Sequence, residues 1–259
     1  MTRLAANLTM LFNELPFLDR FEAAAKAGFR GVEFLSPYAF HIDQIADRLN
    51  LYQLELVLHN VPSGDWDSGE RGIACHPGRI SEFREGIDEA ILYARALGVK
   101  QVNCLAGIVP QGVHREAAQE AFVSNLAFAA GKLKDAGIRL LIEPVNTFDI
   151  PGFFLSRTAQ ALALIRDTGS DNIFLQYDIY HMQRMEGELL NTIQANLSSI
   201  RHIQLADNPG RFEPGTGEIN YRVVLAQLDA MGYDGWIGCE YKPKAGTANG
   251  LGWREVHGV

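Results

Sequence analysis

Two hydrophobic patterns alternate along the chain. Short apolar runs give way to longer stretches in which apolar residues recur three and four positions apart, the spacing that lines one face of a helix. The change from helical pattern to apolar run repeatedly falls at a glycine. It reads Lys26-Ala27-Gly28-Phe29-Arg30-Gly31-Val32-Glu33, then Ala96-Leu97-Gly98-Val99-Lys100-Gln101-Val102, Asp135-Ala136-Gly137-Ile138-Arg139-Leu140-Leu141 and Ala230-Met231-Gly232-Tyr233-Asp234-Gly235-Trp236-Ile237. A helix commonly ends on one left-handed residue, a conformation glycine takes without steric cost, and a short loop then feeds the next strand. These junctions predict repeated βα units.

Working outward from them, strands are expected near residues 4–8, 31–35, 53–58, 100–104, 139–143, 172–177, 200–205 and 235–240. Helices are expected near 16–27, 41–50, 80–97, 114–136, 156–167, 184–197 and 219–231, with Ser81 and Ser156 as N-caps. The tail from Gly246 onward is short and glycine-containing, a poor eighth helix. Most strands are apolar runs rather than clean alternations, as in a parallel sheet covered on both faces. Strands alternating with helices in this number predict a single (β/α)₈ TIM barrel. The 259 residues match the roughly 250 typical of one such domain, and no linker-like stretch divides 1–259. A doubly wound sheet is disfavoured, because the turn after Asn7 has no glycine-rich phosphate loop.

Composition narrows the partners. A net charge of -8 and a pI near 5.4 repel a polyanion. The basic pairs Arg79 with Arg84 and Lys132 with Lys134 are diluted by acids. Nucleic acid is therefore not an expected partner. Cys75, Cys104 and Cys239 form no C-x-x-C pair, and such usage suits a reducing compartment. The N-terminal residues lack a signal-peptide core, and no run approaches the roughly 18 apolar residues that span a bilayer. A cytoplasmic protein with no membrane partner is expected; a homo-oligomer stays open.

In a barrel of this kind the chemistry sits at the C-terminal ends of the strands. The fifth run ends Leu141-Ile142-Glu143-Pro144, the sixth Gln176-Tyr177-Asp178, the seventh reads Ile203-Gln204-Leu205, and the eighth Gly238-Cys239-Glu240. Three carboxylates on one rim would repel each other unless a cation joined them. The amide oxygen of Gln204 adds a further hard donor without charge. An all-oxygen set favours one divalent ion, Mg²⁺ or Mn²⁺, over Zn²⁺. No nucleotide-binding loop is visible.

Several segments resemble the bacterial hydroxypyruvate isomerases, members of the xylose-isomerase-like barrels. They are Glu143-Pro144-Val145-Asn146, Gln176 to Arg184, Gly235 to Pro243, His59-Asn60 with Gly64-Asp65-Trp66, Gly69 to Cys75, and Glu213 to Tyr221. The likeness runs nearly the whole chain. It implies that Glu143, Asp178, Gln204 and Glu240 bind the metal and that Glu143 and Glu240 move the proton. It also favours His181, and less directly His59, as substrate contacts. Many relatives in the wider superfamily carry His where this chain has Gln204, which removes a nitrogen ligand but matches the isomerase subgroup.

The expected reaction is aldose–ketose interconversion of a three-carbon acid, hydroxypyruvate to 2-hydroxy-3-oxopropanoate, through an enediolate. The substrate carboxylate needs a donor. Lys242, two residues beyond Glu240, faces the same side if the strand continues. Glu33 could orient His59 or bind nothing, and His202 inside the seventh run is read as structural. The rivals are a 2-oxo-tetronate isomerase or ketose 3-epimerase, a zinc nuclease, and a non-catalytic sugar-acid binding protein.

Overall fold

The computed structural model describes residues 2–258. Its strands are β1 (Arg3–Asn7), β2 (Gly31–Phe34), β3 (Glu55–Asn60), β4 (Gln101–Cys104), β5 (Arg139–Ile142), β6 (Ile173–Asp178), β7 (Ile200–Leu205) and β8 (Trp236–Cys239). They form a closed barrel in chain order. The α-helices are α1 (Arg20–Lys26), α2 (Ile42–Tyr52), α3 (Ile80–Ala96), α4 (Arg115–Asp135), α5 (Thr158–Thr168), α6 (Ile179–Met185), α7 (Leu189–Asn196), α8 (Tyr221–Ala230), α9 (Thr247–Gly250) and α10 (Trp253–His257). Every expected strand is present. β3 starts late because α2 runs on to Tyr52 and is closed by Gln53 in a left-handed conformation, φ 53°.

The four glycine junctions fold as their pattern predicts. Gly28, Gly98, Gly137 and Gly232 have φ of 86°, 74°, 72° and 78°. The residue after each donates its backbone N–H five positions back: Phe29 to Ala24, Val99 to Ala94, Ile138 to Leu133 and Tyr233 to Leu228. This is the bond of a Schellman helix end, which satisfies a last-turn carbonyl and turns the chain toward the next strand.

The chain divides into two compact units. The first comprises Met1–Leu35, Phe40–Val57 and Tyr177–Val259, and the second Ser36–Ala39 and Leu58–Gln176. In the first, β1 pairs in parallel with β2 and β8, and β7 with β8. In the second, the end of β3 pairs with β4, β4 with β5, and β5 with β6. α4 shows how a helix is held here. Its buried residues are Ala118, Ala121, Phe122, Asn125, Leu126, Ala129, Ala130 and Leu133, three or four apart and so on one face. Phe122, Leu126 and Leu133 are fully buried, each worth about 1.5–3 kcal/mol. Asn125 is tolerated on this face because its Nδ2 donates to the Ala74 carbonyl at 2.9 Å.

Several local expectations need correction. Ser81 is not a cap: a 3₁₀ turn, Pro77–Arg79, leads into α3, and the Ser81 hydroxyl turns along the helix toward Glu85. Ser156 is not a cap either, since Arg157 occupies that position of α5 without a side-chain bond. The helix expected over 184–197 is two helices, α6 and α7, separated by Gly187 and Glu188 at φ 68° and 47°. α6 starts earlier because Asp178 caps it. The tail is ordered by side-chain anchoring: Thr247 Oγ1 accepts from the Phe12 N–H at 2.7 Å, and the buried Trp253 donates to the Tyr241 hydroxyl at 3.1 Å.

Candidate active site

In the first unit, Asp178, Gln204 and Glu240 stand at the C-terminal ends of β6, β7 and β8, buried to 0%, 2% and 5% exposure. The register explains how three of the strands aim side chains together. Gln204 pairs with Gly238, Gly238 with Ala5, and Ala5 with Gly31. Two residues beyond Ala5 and Gly31, Asn7 and Glu33 therefore point to the same side as Gln204.

Asp178 divides its carboxylate between two tasks. Oδ1 accepts from the backbone N–H of Tyr180 at 2.7 Å and of His181 at 3.2 Å, capping α6. Oδ2 is buried and has no hydrogen-bond partner. His181 Nε2 lies 3.6 Å from it and Arg211 Nη2 3.9 Å. Burial pushes the His181 imidazole down to about 4, so at neutral pH it is uncharged and able to accept a proton, a hydrogen bond or a metal.

Glu240 is pushed up to about 8, chiefly by burial, with the negative charges of Asp178 and Glu33 adding to the effect and Arg211 opposing it. Arg211 Nη2 donates to Glu240 Oε2 at 2.9 Å. The β7–α8 loop delivers this arginine. Asp207, 1% exposed, gathers four backbone N–H groups of the loop: Asn208 and Ile219 donate to Oδ1, Gly215 and Gly217 to Oδ2, at 2.8–3.0 Å. Held in this way, Arg211 adopts φ 54° and its guanidinium lies 5.3 Å from the Tyr180 ring centre. Neither Asp207 nor Arg211 was a candidate on sequence. The only hint was the run Glu213 to Tyr221, whose role as a loop wrapped around one carboxylate cannot be read without coordinates.

Glu33 is bonded by residues of its own unit. Its Oε1 accepts from Asn7 Nδ2 at 2.9 Å and from Gln204 Nε2 at 2.7 Å, and its Oε2 from His202 Nε2 at 2.6 Å. His202 is thus a partner of Glu33.

In the second unit, Glu143 follows β5 directly and is 5% exposed. It accepts from Asn103 Nδ2 at 3.0 Å. Asn103 pairs with Leu141 and with Asn60, so Asn60, Asn103 and Glu143 share one side of the sheet. Asn60 Nδ2 and Asn103 Oδ1 are buried without hydrogen-bond partners. His59 pairs with Val102 and so alternates to the other side. Its Nδ1 bonds the Asn60 carbonyl at 3.0 Å, the Tyr38 ring stands edge-on at 6.0 Å, and burial pushes the imidazole down to about 4. Lys242 is exposed, because β8 ends at Cys239 and the alternation that would aim it inward stops there.

These residues suit a divalent cation. Within the first unit, Asp178 Oδ2 and His181 Nε2 lie 3.6 Å apart and each offers a ligand atom; in the second, Glu143 offers a buried carboxylate. The unpartnered Asp178 Oδ2 is the kind of buried anionic atom that a cation satisfies and water-free protein cannot. His181, expected only as a substrate contact, thereby also becomes a candidate ligand.

Among the described residues no helix is long and apolar enough to cross a membrane, and all three cysteines are buried and free. Comparison with known proteins completes the picture. The chain is 55% identical to the hydroxypyruvate isomerase of Escherichia coli K12, covering 99% of this chain and 100% of that one. It is 45% identical to the 2-oxo-tetronate isomerase of Cupriavidus necator, covering 98% and 97%. A crystal structure described as an AP endonuclease, family 2, from Brucella melitensis superposes with a TM-score of 0.96 at 44% identity, covering 99% of each chain. The model of the xylose isomerase-like TIM barrel family matches residues 21–256, and this chain belongs to that family.

Proposed function

We propose that the chain is a cytoplasmic, metal-dependent aldose–ketose isomerase, acting as one catalytic domain, that interconverts hydroxypyruvate and 2-hydroxy-3-oxopropanoate. The observation that carries the chemistry is the buried Oδ2 of Asp178, which accepts no hydrogen bond from an N–H group, beside a Glu240 carboxyl pushed up to about 8 among the strand-end acids. The choice of substrate is supported by the full-length likeness to the E. coli enzyme.

Glu143, Asp178, Gln204 and Glu240 would hold Mg²⁺ or Mn²⁺, with His181 beside Asp178. A divalent ion there supplies positive charge to offset the negative charge that grows on adjacent substrate oxygens as a C–H proton leaves. Glu240 and Glu143 would be the proton-transfer groups. One takes the proton from the hydroxymethyl carbon and a carboxylic acid returns a proton to the former carbonyl carbon, while the hydroxyl proton passes from the hydroxymethyl oxygen to the former carbonyl oxygen, so that an aldehyde and a new hydroxyl result. A Glu240 pushed up to about 8 by burial suits this task, because its two protonation states lie close in free energy near neutral pH. Arg211 takes the place expected for Lys242. A planar fork matches a carboxylate in two-point contact, and its 2.9 Å bond to Glu240 puts it beside the reacting group. Asn60 takes the place expected for His59, since it shares the side of Asn103 and Glu143.

The likeness to the Cupriavidus enzyme favours a second substrate, a four-carbon 2-oxo acid handled by the same chemistry. The nuclease activity named for the Brucella structure calls for a polyanion-binding face, which a net charge of -8 opposes. NMR of hydroxypyruvate in D₂O with Mg²⁺, Mn²⁺ or chelator tests the reading. The expected result is metal-dependent product carrying deuterium at the receiving carbon. Inertness toward hydroxypyruvate with turnover of 2-oxo-tetronate transfers the assignment to the four-carbon acid. Binding without deuterium uptake removes the enzyme reading altogether.

A further inference from the structure

A side-chain amide can turn either end toward its neighbours, and only the carbonyl end ligates a cation. Gln204 is therefore useful as a ligand only if something forces its NH₂ group away from the metal. The hydrogen-bond chain that starts at β1 supplies that force. The Thr9 backbone N–H, a donor by construction, bonds Asn7 Oδ1 at 3.1 Å. This fixes the Asn7 amide, so it is Nδ2 that reaches Glu33 Oε1 at 2.9 Å. That oxygen is then an acceptor, and what Gln204 presents to it at 2.7 Å is Nε2. The second Glu33 oxygen is occupied by His202 Nε2 at 2.6 Å. With three donors converging on it and 1% exposure, the carboxylate has no freedom to reorient. Gly238 completes the arrangement: a Cβ there would overlap both oxygens of the Glu33 carboxylate. The space for the carboxylate exists only because β8 carries no side chain at this point.

We propose that Glu33 is a positioning residue which, through the chain Thr9–Asn7–Glu33–Gln204, fixes the Gln204 amide with its carbonyl oxygen as the ligating atom. The premise is the function proposed above, in which Gln204 is an oxygen ligand. Glu33 itself touches neither metal nor substrate in this scheme. What it contributes to the orientation of Gln204 is an acceptor at a fixed point, which does not depend on its charge. A residue that keeps the acceptor while losing the charge should therefore keep the site.

The test is Mn²⁺ affinity of metal-free protein, measured by calorimetry and by electron paramagnetic resonance, with thermal melts to check folding. Glu33→Ala removes the acceptor that holds Gln204 Nε2 and should weaken Mn²⁺ binding roughly 10- to 100-fold, the usual cost of losing a ligand's supporting partner. Glu33→Gln can still offer a carbonyl oxygen to Asn7 and Gln204, while its NH₂ faces His202, whose Nδ1 has no partner and can take the ring proton. It should stay within about threefold of wild type. Gly238→Ala displaces the carboxylate without removing it and should weaken binding about tenfold or more. If Glu33→Ala does not fold, the other two variants decide by the same criteria. Wild-type affinity in folded Glu33→Ala or Gly238→Ala overturns the proposal and leaves the metal site standing. So does a Glu33→Gln variant as weak as the alanine variant. A wild-type protein that binds no Mn²⁺ overturns the ligand reading and the positioning role with it.

Discussion

Arg211 donates to Glu240 across 2.9 Å while its backbone sits at a left-handed φ of 54°. A non-glycine residue holds that conformation only when the surrounding structure compels it, and here the compulsion comes from the loop gathered on Asp207. The pair explains how a buried glutamate can be raised by burial yet kept within reach of ionisation. Arg211 opposes the desolvation and lowers the proton affinity that Asp178 and Glu33 raise.

Replacing Arg211 with Met should therefore cost more than packing. It removes a charge-assisted hydrogen bond, about 1.5–3 kcal/mol, and with it the proposed partner of the substrate carboxylate, so kcat/KM should drop roughly 10- to 100-fold. Much of the loss should appear in KM. Arg211→Lys should recover part of it, since a point charge remains but the two-point fork does not. Steady-state kinetics of both variants, with KM unchanged in Arg211→Met as the contrary outcome, decide the matter.

Glu240→Gln and Glu143→Gln keep the shape of the side chains while removing the group that carries the proton. Each should lower turnover roughly 10²-fold or more in protein that still unfolds cooperatively. Exchange of substrate hydrogen with solvent deuterium is the decisive measurement, because it reports proton removal even where product release is slow. A variant that exchanges at the wild-type rate does not carry the proton-transfer group.

The barrel was legible because its signals are local. A glycine closing each of four helices, followed by an apolar run, needs no knowledge of distant contacts, and those glycines take the expected left-handed conformation. The strand-end acids were legible for the same reason, each being simply the polar residue that stops an apolar run. What could not be read was any role that depends on how a loop folds back. Arg211 lies in a segment whose course is set by four hydrogen bonds to Asp207. Lys242 lies exposed because alternation does not extend past the end of β8, and the register of β3 against β4 sets the side on which His59 stands. For Glu33 the sequence offers only His59 or no partner, because Asn7, His202 and Gln204, which it bonds, all lie on other strands.

The raised Glu240 gives a pH signature with a definite sign. Its folded-state value, about 8, lies above the ordinary 4.5. The folded protein therefore holds a proton that the unfolded chain has released. Stability from this group is fully present below pH 4.5 and is lost as pH rises through about 8. Metal-free protein should accordingly lose melting temperature between about pH 5 and 8 relative to Glu240→Gln, which has no proton to lose. Mn²⁺ should reverse the trend, because a cation binds the ionised carboxylate and so binds more tightly as pH rises. Parallel melting curves for wild type and Glu240→Gln, without metal, would show that this carboxylate ionises normally.

Asp207 separates the structural from the chemical share of the site. Its two oxygens accept from four backbone N–H groups over a buried position. Asp207→Ala leaves those donors unpaired at a cost of about 2–4 kcal/mol, visible in chemical denaturation. The loop they shape also holds Arg211, whose carbonyl in turn accepts from the Lys242 N–H at 2.8 Å. Loosening the loop should therefore raise KM as well, in the same direction as Arg211→Met, while the affinity for Mn²⁺ stays near wild type because Asp207 faces backbone and not the strand-end acids. Adding Arg211→Met to Asp207→Ala should then raise KM by less than it does in the wild-type background, since both changes remove one contact. Full additivity of the two effects would mean that Asp207 acts on stability alone and that Arg211 is held in place by Glu240 and Tyr180 without help from the loop.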